Sequence, residues 1–164
     1  MKPALRVRKG GELALSGDVL TDLMRSVLAK GRPFRFRARG SSMSPFIKNG
    51  DVVTVSPLGG QELRTGEIVA FVHPESGKAA VHRVVGGQPG LYSLKGDNAA
   101  KPDGDLGPDR ILGRVTLIER GGKGFRPGRT WRAALIAVLS RSGWLGRSLR
   151  IWRHVKAPRA GRSS

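Results

Sequence analysis

A chain of 164 residues with a formal net charge of +18 has room for one domain with a modest core, and not for two of ordinary size. It has no cysteine, and its three histidines, His73, His82 and His154, form no H-x-x-x-H pair. That excludes a disulfide framework and a thiolate metal site and argues against zinc; no cofactor is expected.

Taken in chain order, residues 1–15 read as a basic, loosely ordered lead-in. Ser16 to Lys30 reads as an amphipathic helix, with Val19, Leu20, Leu23, Met24, Val27 and Leu28 at helical spacing and Gly31 as its C-cap. Pro33 stops the helix, and Phe34 to Ala38 alternates like a strand. Short β-branched runs follow at 51–55, 67–72, 80–85, 91–94 and 111–118, divided by Gly, Pro, Asn and Asp. No segment between them is a convincing crossover helix. The expected fold is mainly β, a small coiled antiparallel or barrel-like sheet with an N-terminal helix.

From Gly121 the texture changes. The segment 121–128 reads as a flexible linker, and 130–140 and 144–155 as basic amphipathic helices carrying Trp131, Trp144 and Trp152. The tail from Lys156 is expected to be disordered. The resulting plan is a lead-in and helix over 1–31, a β-rich domain over 32–120, and a basic helical extension over 121–164.

Charge is unevenly spread. No acidic residue follows Glu119, and Arg32, Arg35, Arg37 and Arg39 cluster ahead of the first motif. Such a field suits anionic partners, a lipid surface reached through the C-terminal extension or, as the weaker alternative, nucleic acid. Solvated surface arginine accounts for the charge equally well. Met1 to Gly11 lacks the apolar core of a secretory signal, and the longest apolar run, Ala133 to Leu139, falls far short of the roughly 20 residues of a span. The expected location is peripheral at a membrane or cytoplasmic.

Three boxes carry chemistry. The first, Arg39 to Pro45 followed by Gly50-Asp51-Val52-Val53, is a hydroxyl-rich turn between strands that can present a serine side chain. The second, Gly66 to Phe71 and then Ala80 to Val85, places His82 inside an apolar strand whose flanking residues point the other way. Alone, such a histidine is usually structural. Behind a serine box it is a candidate base, since serine is a poor nucleophile at neutral pH without one. The third, Lys95-Gly96-Asp97-Asn98 with Asp103 and Asp105 after it, offers carboxylates that can orient an imidazole, or simply a solvated turn.

Together, Gly40-Ser41-Ser42-Met43-Ser44-Pro45, Gly50-Asp51, Gly66 to Phe71, His82-Arg83-Val84-Val85, Lys95 to Asn98 and Gly113-Arg114-Val115 resemble the type I signal peptidases and the self-cleaving repressors of the SOS response. The resemblance spans residues 36–119 and implies Ser42 as nucleophile. Histidine at the base position, rather than lysine, resembles the branch found in archaea and the endoplasmic reticulum. Asp97 and Asp103 match that branch's acidic positions, with Asp105 as a fallback for the second. Gly40 stands where many signal peptidases carry a serine, so an oxyanion hole would rely on backbone N–H groups, chiefly that of Ser42.

The resemblance implies a serine endopeptidase that cleaves a signal or leader peptide through an acyl-enzyme. His82 would be general base, with Asp97 or Asp103 completing the triad. Ser41 and Ser44 are rival nucleophiles by chemistry alone, and Lys78 and Lys95 rival bases. Lys95, beside a Gly-Asp turn, is expected to be exposed and therefore a poor base. The expected partner is an extended peptide segment with small residues before the cut, bound by strand addition. The contrasting possibility is an inactive, repressor-like module that binds nucleic acid through its basic surface. The lack of a clear helix-turn-helix and of an Ala-Gly site ahead of Ser42 argues against it.

Overall fold

The computed structural model describes the backbone of residues 6–8 and 12–14, and residues 16–127. The helices expected at 130–140 and 144–155, with their tryptophans, lie outside the described residues. The lead-in contains a short antiparallel pair, β1 (Arg6–Arg8) with β2 (Glu12–Ala14), so it holds more order than its composition suggests.

Helix α1 (Gly17–Ala29) stops at Gly31, whose φ of +72° suits a residue without Cβ. The amides of Gly31 and Arg32 close on the carbonyls of Leu28 and Val27, a Schellman stop. The buried stripe is Thr21, Met24 and Leu28, while Leu23, apolar and at helical spacing, is exposed. Thr21 Oγ1 donates to the Gly17 carbonyl at 2.8 Å and accepts from the Ala79 amide at 2.7 Å, fixing the helix to the sheet.

The fold is mainly β. One open, antiparallel eight-stranded sheet is built from β3 (Phe34–Arg37), β4 (Val52–Ser56), β5 (Ile68–Val72), β6 (Ala79–Gln88), β7 (Leu91–Lys95), β8 (Gly104–Leu106), β9 (Ile111–Arg120) and β10 (Lys123–Phe125). Its order is β3-β4-β9-β5-β6-β7-β8, with β10 adding to β9. The long strand β9 is the seam, pairing with β4 through residues 114–119 and with β5 through 111–114. Register shifts at Thr54/Val55, Ala70/Phe71 and Val84/Gly86 bend and coil the sheet.

The glycine-rich segment expected to be a linker begins as a hairpin instead. Gly121 and Gly122 take φ of +55° and +77°, and the chain returns along β9 as β10. Strand β5, Ile68-Val69-Ala70-Phe71-Val72, is buried along its whole length. One side carries Met24, Leu28, Met43, Ile47, Val53, Val55, Ile68, Ala70, Val115 and Ile118; the other carries Val69, Phe71, Val84, Leu94, Leu106 and Ile111. Helix α1, grouped on sequence with the N-terminal segment, thus contributes to the first of these cores.

Candidate active site

The Ser42 loop joins β3 to β4. Its base is closed by backbone bonds from Ala38 to the Asp51 carbonyl at 2.8 Å and from Gly50 to the Ala38 carbonyl at 2.9 Å. The Asp51 carboxylate sits beneath it, accepting from Arg120 Nε at 2.8 Å, Arg120 Nη2 at 2.6 Å and the Lys48 amide at 2.7 Å. These bonds, led by those from Arg120, hold the Asp51 carboxyl below the usual carboxylate range against the opposing effect of burial. Within the loop Met43 and Ile47 are both 4% exposed and plug into the core, while Ser41 and Ser42 stay at the surface. Ser44 is partly covered, and its amide turns back to the Ser41 carbonyl at 3.0 Å. The apolar side chains therefore anchor a loop whose hydroxyls face outward.

His82 lies on β6 opposite Val69 of β5 and is 7% exposed. Its Nδ1 meets Asp103 Oδ2 at 2.5 Å. An ionised carboxylate can only accept, so opposite one Nδ1 is the donor, and in the neutral ring the lone pair is then on Nε2. Phe71, fully buried, packs its ring 5.4 Å from the imidazole centroid. Asp103 is held by its own amide, which donates to the Leu94 carbonyl at 2.8 Å.

Asp97 has a different partner. Successive side chains on a strand point to opposite faces, so Arg83, next to His82, reaches away from Asp103. Its guanidinium grips Asp97 through Nε–Oδ1 at 2.8 Å and Nη2–Oδ2 at 2.7 Å, and donates from Nη1 to the Gly66 carbonyl at 2.9 Å. The Phe46 ring lies 5.2 Å from the guanidinium carbon. The sequence left Asp97 and Asp103 as alternatives beside His82; strand alternation gives Asp103 to the histidine and Asp97 to the arginine. Asp105 is exposed on β8.

Two lysines were rival bases on sequence. Lys78 is exposed and lays its alkyl stem against α1 at Gly17. Lys95, expected to be exposed, is 2% exposed instead, because β7 extends through it and pairs it with Arg83.

Sequence reasoning missed the part played by Gly96. A Cβ there would lie 2.8 Å from the Ser42 carbonyl oxygen and 3.0 Å from His82 Nε2. The missing side chain lets the serine loop and the imidazole border one small space. Asn98 secures the approach, its amide donating to the Ser42 carbonyl at 2.7 Å and its Nδ2 to that of Ser41 at 3.3 Å. The Ser42 backbone carbonyl and the His82 imidazole, itself bonded to the partly buried Asp103 carboxylate, thus border one turn.

The family model described as peptidase S24-like matches residues 9–116, from the lead-in to within β9. The chain belongs to the peptidase S24-like family. Its members are of serine-peptidase type or repressor type, and some are inactive. No curated protein sequence matches this chain significantly. In this S24-like chain the match takes in the Ser42 loop, β5, β6 and the turn bearing Gly96, Asp97 and Asp103. Among the described residues, no helix is long and apolar enough to cross a membrane.

Proposed function

We propose that the chain is a serine endopeptidase of the Ser/His branch, cleaving a signal or leader peptide with Ser42 as nucleophile and His82 as general base. The observation that carries this reading is the 2.5 Å bond from His82 Nδ1 to Asp103 Oδ2, with Nε2 beside Gly96 in a space that the Ser42 carbonyl also borders. His82 takes the Ser42 proton as the hydroxyl attacks the scissile carbonyl. It then protonates the leaving amine and activates water to release the acyl group. Asp103 keeps the tautomer and stabilises the imidazolium. Backbone N–H groups of the serine loop hold the oxyanion, and one such donor is worth about 100- to 1000-fold in rate. Strand β3, at the edge of the sheet, runs into the Ser42 loop, so an extended substrate is proposed to add beside it.

The test is cleavage of a leader peptide by the purified chain and its variants. Ser42→Ala and His82→Ala are each expected to reduce kcat by about 1000-fold or more. Full activity in His82→Ala would end the histidine assignment. Activity that survives that change but disappears in a folded Lys95→Ala protein would move the base to the lysine. The exposed Arg32, Arg35, Arg37 and Arg39 favour one second reading, an inactive repressor-type module binding nucleic acid. DNA affinity falling steeply with salt, without any cleavage, would support it.

A further inference from the structure

His73 has no part in the assignments above, yet it lies on the far side of the same carboxylate. It follows β5 directly, two residues beyond Phe71, so period-two alternation puts Val69, Phe71 and His73 on the face that His82 shares. Its backbone is fixed at the mouth of the β5–β6 turn: its amide donates to the Lys78 carbonyl at 2.9 Å, and the Gly77 amide donates to its own carbonyl at 2.9 Å. Its tautomer is fixed as well. The Glu75 amide donates to His73 Nδ1 at 3.3 Å, so the ring proton sits on Nε2. That Nε2 is 3.5 Å from Asp103 Oδ1, while His82 Nδ1 holds Oδ2. Phe71 packs near both rings, its centroid 6.1 Å from His73 and 5.4 Å from His82.

We infer that His73 is a positioning residue for the active site, its Nε2–H steering the free oxygen of Asp103 so that the other oxygen stays on His82. The inference rests on the proposed peptidase chemistry. A carboxylate bonded through one oxygen can rotate about its Cβ–Cγ bond; a second donor on the opposite oxygen removes that freedom. At 3.5 Å the contact is long for a hydrogen bond, and contacts of this kind tighten when substrate fills a site. Among the described residues, no group of three His, Asp or Glu side chains could hold a metal ion.

The test uses the full chain with His73→Leu, which keeps bulk but loses the donor, and His73→Gln, whose amide restores an N–H at about the same reach. Two readouts are taken: cleavage of an internally quenched peptide carrying an Ala-x-Ala segment, and the downfield Nδ1 proton resonance of His82 in histidine-labelled protein. In His73→Leu, kcat is expected to fall about 5- to 10-fold with KM within about twofold, and the resonance to shift or broaden. His73→Gln is expected to recover most of both. Unchanged kcat and an unchanged resonance in His73→Leu would overturn the inference. So would a loss that His73→Gln does not repair, since that marks a packing role only. If no protein cleaves the peptide while the resonance still responds to His73→Leu and recovers in His73→Gln, the positioning role stands and the peptidase assignment falls.

Discussion

A methyl group on Gly96 would press on the Ser42 carbonyl at 2.8 Å, His82 Nε2 at 3.0 Å and Ala99 Cβ at 3.2 Å. The first neighbour is backbone and cannot rotate away, so the serine loop or the Gly96 turn must move. The Gly96→Ala protein is expected to fold, with about 1–3 kcal/mol less stability from overpacking. Its peptide cleavage should fall about 100-fold, because displacing a reacting group by about an ångström costs that much. Thermal unfolding and kcat measured on the same preparation would check this; cleavage lost only in proportion to unfolded protein would refute the geometric account. Ser42, His82, Asp97 and Asp103 were legible as candidates because their boxes stand in order along the chain. The choice between the aspartates was not, since it depends on which face of β6 each neighbour points to. His73 was also missed, though its signal was present: counting by two from Val69, the partner of His82, reaches it.

At the scale of elements, β6 turns sequence adjacency into spatial separation. His82 faces Phe71 and Asp103; Arg83 faces Asp97, the Gly66 carbonyl and the Phe46 ring. The Arg83–Asp97 side chains are 3% and 0% exposed, so removing either deprives a buried charge of this bidentate bond. Arg83→Met or Asp97→Leu alone is expected to cost about 3–5 kcal/mol, and the double variant much less than the sum, because a well-packed apolar pair avoids the desolvation of both ions. Urea midpoints of the three variants give the coupling directly, and additive losses would contradict it. Most strands were legible because β-branched runs between Gly and Pro report burial and turns together. Strand β8, Gly104-Asp105-Leu106, was not: it is three residues long, has one apolar side chain and exists through its pairing with β7. Lys95 was misjudged for a related reason. Its Gly-Asp neighbours suggest a turn, but pairing with β6 carries the strand one residue further and buries it.

Across the whole molecule, 30 Lys and Arg oppose 12 Asp and Glu, so each carboxylate lost to protonation leaves more unbalanced positive charge. At Asp51 that loss reaches the serine loop. It joins the base of the Ser42 loop at β4 to Arg120 at the end of β9, and Arg120 Nη2 also donates to the Phe46 carbonyl at 3.0 Å inside the loop. Hydrogen bonds from Arg120 lower the folded-state pKa of Asp51 below its unfolded value. The stabilisation is therefore fully present above the unfolded value of about 4, and is lost as pH falls through the lower, folded value. Arg120 is 38% exposed at its side chain, so solvent screens the pair and moderates its worth. Asp51→Asn is expected to cost about 1–2 kcal/mol at neutral pH, chiefly from the lost charge-assisted bonds. Below about pH 4 the variant and the parent should converge, so the variant's acid limb is the shallower. Urea unfolding at pH 7, 5, 4 and 3 would measure this, with added salt at pH 3 to screen the remaining repulsion. A constant difference between the two proteins at every pH would show that Asp51 acts by shape alone, and would remove the ionic clamp from beneath the serine loop.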